Sequence, residues 1–292
     1  MTGVKAPPTK ELILADILFP HEAWIRLGAF AAVFATMALW ELMAPRRPQT
    51  IGRLRRWPGN LGVVVIDTLL VRLIFPTAAV GVALVAQVGG WGLLPALDAP
   101  SWLAIVIAVI VLDLAIYLQH VLFHAVPVLW RLHRMHHADL EIDVTTGARF
   151  HPIEILLSMA IKLGVVAALG APAVAVLIFE VLLNATSMFN HGNVRLPQRH
   201  DRVLRWLVVT PDMHRVHHSV LRGEHNRNFG FNLSLWDHLF GTYLAEPKAG
   251  HHGMTIGLPP YQTEAPTRFG WSLWLPFGQQ NPEARNRKPE EA

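Results

Sequence analysis

Five apolar stretches, at residues 24–42, 61–88, 102–123, 155–169 and 173–189, constrain this chain more than any other feature. The third is long enough, at helical rise, to cross a hydrocarbon core of about 30 Å. With 52% of its residues hydrophobic and only 16% charged, the chain is too apolar for an ordinary soluble domain of 292 residues. The expected fold class is all-α: a multi-pass membrane helix bundle of four or five helices, carrying a histidine-rich metal-binding cap. Residues 155–169 and 173–189 read as a helical hairpin turning at Gly170-Ala171-Pro172.

Charge sets the expected orientation. Arg46, Arg47, Arg53, Arg55 and Arg56 follow the first stretch, and Arg195, Arg199, Arg202 and Arg205 follow the last. The loop after Gly89-Gly90 and the hairpin turn contain no Lys or Arg. Under the positive-inside rule the basic segments, and the cap with them, are cytoplasmic. The first twenty residues, with Lys5, Lys10, Glu11 and Asp16, lack the pattern of a signal peptide, so insertion is expected through the chain's own spans. Asp67 and Arg72, inside the second stretch, are expected to pair with each other or with Asp113 in the third. The expected organisation is an N-terminal segment with the first membrane helix and basic loop (1–60), a membrane catalytic domain (61–245) and a C-terminal polar tail (246–292).

The sequence has no cysteine, which excludes thiolate metal sites, so any metal is held by nitrogen or oxygen. It has sixteen histidines, several of them in motifs. His120 and His124 form HxxxH, His133, His136 and His137 form HxxHH, and His214, His217 and His218 repeat HxxHH. Positions three or four apart share one helix face, so each motif is a partial ligand set. Imidazole suits iron, zinc, copper or nickel, and eight such ligands exceed the roughly four that one zinc needs. A dinuclear centre uses them. Pro127 is expected to break the helix after His124 so that the first HxxHH faces back, with the second closing the cage from behind Pro211 and Asp212. His191, in Asn190-His191-Gly192-Asn193, joins as a ninth candidate ligand. His151, in Arg149-Phe150-His151-Pro152, is open between ligand, a donor that orients another imidazole, and a helix cap. His225 and His238 read as structural, and His21, His200, His251 and His252 receive no role.

The motif order HxxxH, HxxHH, a later His, then HxxHH resembles the fatty acid hydroxylase and sterol desaturase superfamily. Arg149-Phe150-His151-Pro152, the segment from Thr210 to His218, and Trp236-Asp237-His238-Leu239-Phe240-Gly241-Thr242 add local matches over residues 60–245. The last of these is similar to the alkylglycerol monooxygenase branch and its bacterial relatives. The resemblance implies a four-helix membrane unit with a cytoplasmic cap holding two iron ions, and O2 as co-substrate. It also implies hydroxylation or desaturation of a lipid such as a fatty acyl, sterol-like or alkyl-ether substrate. No dinucleotide fingerprint and no flavin-sized domain is present, so electrons are expected from a separate donor such as a ferredoxin or a cytochrome-type reductant.

Arg195, Arg199, Arg202, Arg205 and Arg215 are candidates for that donor's docking face or for attraction to anionic lipid. Basic residues beside apolar runs argue for membrane flanks and against nucleic acid. A metal transporter or sensor is the main rival, and it would spread ligands through the spans. A zinc hydrolase is the other, but HExxH is absent.

Overall fold

The computed structural model describes residues 21–278. The N-terminal segment read for a signal peptide and the final residues of the tail lie outside them. Among the described residues there is no β-strand, only three isolated bridges, and five helical segments are long and apolar enough to cross a membrane. Helices suit hydrocarbon because each satisfies its own backbone amides.

Helix α1 (Glu22–Met43) runs toward the cap, and α2 (Arg53–Ile74) leaves it. The second apolar stretch is expected as one span, but it is two helices. Phe75-Pro76-Thr77 separates α2 from α3 (Ala78–Gly89), because proline lacks an amide donor and drives the residue before it out of helical backbone. The first two turns of α2 lie in the cap, where Arg56 and Asn60 are buried. α4 (Ser101–Ala125) returns to the cap. Val126 is extended and Pro127 opens α5 (Pro127–His137), the turn that the proline is expected to make. α6 (Pro152–Leu169) and α7 (Ala173–Asn190) form the hairpin. At the end of the bundle far from the cap, the backbone of Gly92 lies against Gly170. A Cβ on Gly92 would come within 2.2 Å of the Gly170 nitrogen, so no side chain fits.

Buried residues of α3, α4, α6 and α7, among them Ala83, Leu112, Val166 and Phe179, form one apolar core. The outer surface carries exposed Leu69, Leu73, Val85, Val106 and Leu182, a lipid-facing belt. One set of charges within the bundle is tied together. Glu180 accepts from Lys162 at 2.9 Å and forms an ion pair with Arg26 at 3.1 Å, linking α1, α6 and α7. The pairing expected of Asp67 and Arg72 is not found. Asp67 is buried without an ion-pair partner among the described residues, Arg72 is exposed, and Asp113 accepts from Trp236 Nε1 at 2.8 Å.

The cap is built from α5, α8 (Gln198–Leu204), α9 (Pro211–His217), α10 (Leu235–Leu239) and the loops between them. Two of the arginines expected on its surface are internal. Arg205 pairs with Asp201, and Arg215 is fully buried against Asp212. Residues after 245 fold onto this unit, burying His251, Met254, Ile256, Leu258 and Leu275. Arg149 donates to Pro266 O and Ser272 Oγ, and Arg134 donates to Leu275 O.

Candidate metal centre

Nine histidines converge where α4 and α7 enter the cap. His120, His124, His133, His137 and His217 form one group; His136, His191, His214 and His218 form another. Within each group the candidate ligand atoms lie within 4.8 Å of one another. Each HxxHH motif serves both groups, which spacing alone does not reveal. The first sends its i,i+4 pair, His133 and His137, to the five-histidine group and His136 to the other. The second does the reverse, sending His214 and His218 to the four-histidine group and His217 to the five. Adjacent residues diverge by about 100° around a helix, so a motif wedged between two sites divides in this way. The groups adjoin, with the rings of His137 and His218 stacked at 4.7 Å.

The hydrogen bonds fix which nitrogen carries the proton in five of the nine rings. His120 Nδ1 donates to Phe229 O at 2.8 Å, His136 Nδ1 to Arg149 O at 3.0 Å, His191 Nδ1 to Ser187 O at 2.7 Å and His217 Nδ1 to Arg227 O at 2.8 Å. His133 Nδ1 donates to the Glu154 carboxylate at 2.7 Å. Carbonyl and carboxylate oxygens only accept, so Nδ1 holds the proton and Nε2 of each neutral ring keeps a lone pair. Those lone pairs face one another. His120 and His133 bring Nε2 atoms to 3.1 Å, as do His136 and His191. With no proton between them such pairs repel. Two nitrogens each about 2.1 Å from a shared ion at near a right angle would stand about 3 Å apart, which is the spacing of these pairs.

Burial keeps the rings in the form that binds metal. It pushes His133 and His191 down to about 3, and holds His136, His137, His214, His217 and His218 well below the ordinary imidazole range. His217 Nε2 and both nitrogens of His218 are buried without a hydrogen-bond partner, as unused ligand atoms would be.

The remaining histidines fall outside both groups. His151 caps α6: its Nδ1 accepts from Ile153 N at 3.2 Å and its Nε2 donates to Leu273 O at 3.1 Å, occupying both nitrogens. His225 stacks on Trp130, and His238 on Trp206. His251 is buried beside Glu246 and Asp212; His21, His200 and His252 are exposed.

Several supporting residues are invisible to motif spacing. Glu154 orients His133 from twenty-one residues away. Asp237 accepts from Phe229 N and Gly230 N at 2.8 Å, which fixes the loop whose Phe229 carbonyl holds His120. Arg56, read from sequence as part of a basic flank, is buried and grips Asp139 through two hydrogen bonds of 2.8 Å and Asp143 at 2.6 Å. This network braces the loop that follows His136 and His137. Phe150 stacks on His136 at 4.4 Å, while Phe231 lies 5.6 Å from His120 and joins the apolar core. The aromatic wall of the centre is therefore continuous with the bundle interior.

Removing an outer partner of a ligand typically weakens metal affinity by about 10- to 100-fold. Glu154→Ala is expected to lose affinity in that range at the five-histidine group, measured by chelator competition, and Glu154→Gln, which keeps an acceptor oxygen, less. Wild-type affinity in Glu154→Ala would show that His133 does not depend on this contact.

Residues 105–242, which enclose all nine histidines, match the model of the fatty acid hydroxylase family. The ornithine lipid hydroxylase OlsE of Rhizobium tropici is 32% identical over 149 residues, 51% of this chain and 44% of that protein. Human alkylglycerol monooxygenase is 25% identical over 174 residues, 56% of this chain and 36% of that protein. The fatty acid hydroxylase vlmA of a Lecanicillium species is 26% identical over 166 residues, 49% and 42% of the two chains. Each match spans less than half the relative's own length. No solved structure matches the chain.

Proposed function

We propose that the chain, whose residues 105–242 match the fatty acid hydroxylase model, is a membrane-bound diiron oxygenase of the fatty acid hydroxylase and sterol desaturase superfamily. It takes O2 and electrons from a separate donor, a ferredoxin or a cytochrome-type reductant, and hydroxylates a membrane lipid. The observation that carries this reading is the two adjoining groups of histidines, with Nε2 lone pairs converging within them, at the end of an apolar bundle. His120, His124, His133, His137 and His217 would hold one iron, and His136, His191, His214 and His218 the other. When bound, ferrous ions in a nitrogen set supply the capacity to activate O2.

The chain's own residues do the rest. Outer hydrogen bonds to Phe229 O, Arg149 O, Ser187 O, Arg227 O and Glu154 hold His120, His136, His191, His217 and His133 each in one tautomer and orientation. Phe150, Phe229 and Phe231 line the histidines with apolar surface that excludes water. Phe231 touches both the centre and the bundle core, so a lipid chain held among the helices would meet the metals there. The names of the relatives place lipid hydroxylation and alkylglycerol oxidation among the chemistries of similar chains, which supports a lipid substrate.

A transporter fits less well, because the histidines gather at one end and the charges in the spans include the paired set Arg26, Lys162 and Glu180. The basic flanks argue for a cytoplasmic cap. The test is to compare the lipids of cells with and without the protein, grown in air and under nitrogen. A lipid gaining one oxygen atom, labelled when the gas is isotopic O2, is expected only with protein and air. No oxygen-dependent product in any lipid class would defeat the proposal.

A further inference from the structure

One apolar patch on the cap is unexplained by the core. Val203 at the end of α8, with Trp206 and Leu207 just beyond it, is 65–67% exposed, and Leu235, Leu239 and Phe240 on and beside α10 are 49–65% exposed. The two segments are one surface, joined by the bridge between Val208 and Leu233 and by the stacking of Trp206 on His238 at 4.7 Å. Large side chains left in water on this scale mark a contact surface.

Its position states what covers it. The α10 segment is tied down along α4, not on top of the cap. Tyr117 stacks on Phe240 at 5.4 Å, and Asp113 accepts from Trp236 Nε1 and from the amides of Asn232 and Leu233. Asp113 lies twelve residues and Tyr117 eight before Ala125, which at helical rise is about 18 and 12 Å down the helix from its cap end. Thr186, in the last turn of α7, bonds Asn232 from the other side. The patch therefore stands level with the span ends, beside Leu118 and Leu122 of α4, which are also exposed and apolar. It is an extension of the lipid-facing belt. Arg195, Arg199 and Arg202 are exposed on the adjoining segment, and no ion pair holds any of them among the described residues.

We propose that residues 203–207 and 235–240 form a lip that inserts into the cap-side leaflet, with Arg195, Arg199 and Arg202 bound to anionic headgroups. A surface with an aromatic and aliphatic edge and a basic margin is what an interfacial segment requires. Behind the lip, Tyr117 and Trp236 pack with Phe229, which lines the metal centre. The leaflet in contact with the lip is thus the one nearest the histidines. This inference rests on the membrane spans alone and stands whether or not the centre binds iron.

The absence of cysteine makes the test clean. Leu207→Cys and Leu239→Cys in the full-length protein each carry a nitroxide, with Lys248→Cys, at an exposed site on the cap, as the control. In nanodiscs of phosphatidylcholine with phosphatidylglycerol, the labels at 207 and 239 are expected to collide several-fold more with O2 than with a water-soluble nickel chelate. The control should show the opposite. Adding phosphatidylglycerol to pure phosphatidylcholine discs should deepen both labels, and Arg199→Glu with Arg202→Glu should abolish that lipid dependence. Labels as accessible to the chelate as the control, in either lipid, would overturn the proposal. So would dipolar coupling between labels on separate chains, which would assign the surface to a second copy.

Discussion

His136→Ala and His217→Ala are each expected to abolish oxygen-dependent lipid oxidation, while His200→Ala stays near wild type. The two active-centre substitutions strike different groups, since His136 belongs to the set of four and His217 to the set of five. In the proposed centre each would leave an open coordination position and neighbouring imidazoles without a fixed geometry. Loss of turnover by at least about two orders of magnitude follows if either iron is indispensable. His200 is exposed, makes no contact with either group, and belongs with ordinary surface substitutions. Turnover and metal content are measured together. Retention of both in His136→Ala and His217→Ala would remove the histidine centre from the chemistry.

Arg56→Ala should be the most destabilising single change outside the histidines. It strips a fully buried guanidinium from Asp139 and Asp143, which are themselves buried. Removing one partner of such a pair strands the other, at a cost of about 3–5 kcal/mol. Burial alone would push Asp139 up, but Arg56 beside it holds the carboxyl down to about 2, and Asp143 is likewise held below the usual carboxylate range. A depressed carboxylate stabilises the fold above its unfolded value. That contribution fades as pH falls from the ordinary aspartate range toward about 2. In Arg56→Ala it should vanish at neutral pH as well. The thermal midpoint in detergent is expected to drop, with partial rescue in Arg56→Lys, which keeps the charge without the two-pronged grip. An unchanged midpoint would mean that the loop after His137 is braced elsewhere.

The helices were legible because hydrocarbon imposes a length and a composition, and both are written locally. The break at Pro76 was less so, since the apolar residues continue across it. Histidine spacing points to eight of the nine residues that the structure gathers, and the segment Asn190-His191-Gly192-Asn193 to the ninth, but neither divides them. A helix pattern of i, i+3 and i+4 describes one face, and the division of each HxxHH between two groups depends on what stands on either side of that face. His151 shows the same limit: its flanks allow ligand, orienting donor or cap, and only the carbonyl of Leu273 and the amide of Ile153 distinguish them.

The placement of the arginines is hidden from the sequence for a related reason. Arg56 and Arg55 are neighbours in one basic run, yet one is buried in a double ion pair and the other is exposed beside Glu264. Composition registers the charge of a membrane flank, not which charge turns inward. Glu154 had no motif around it, and its importance comes wholly from the contact with His133. Asp237, by contrast, stood within Trp236-Asp237-His238-Leu239-Phe240-Gly241-Thr242; the signal was present, but its role as the brace of Phe229 and Gly230 requires the fold.

The most direct test of the proposed centre is the metal content of the purified wild-type protein after anaerobic loading with ferrous iron, read by elemental analysis against protein concentration. Two iron ions per chain are expected, falling to at most one in His217→Ala with the His136 group still loaded, and the reverse in His136→Ala. A single zinc ion that iron does not replace would contradict the account, as would a wild-type stoichiometry unchanged by either substitution.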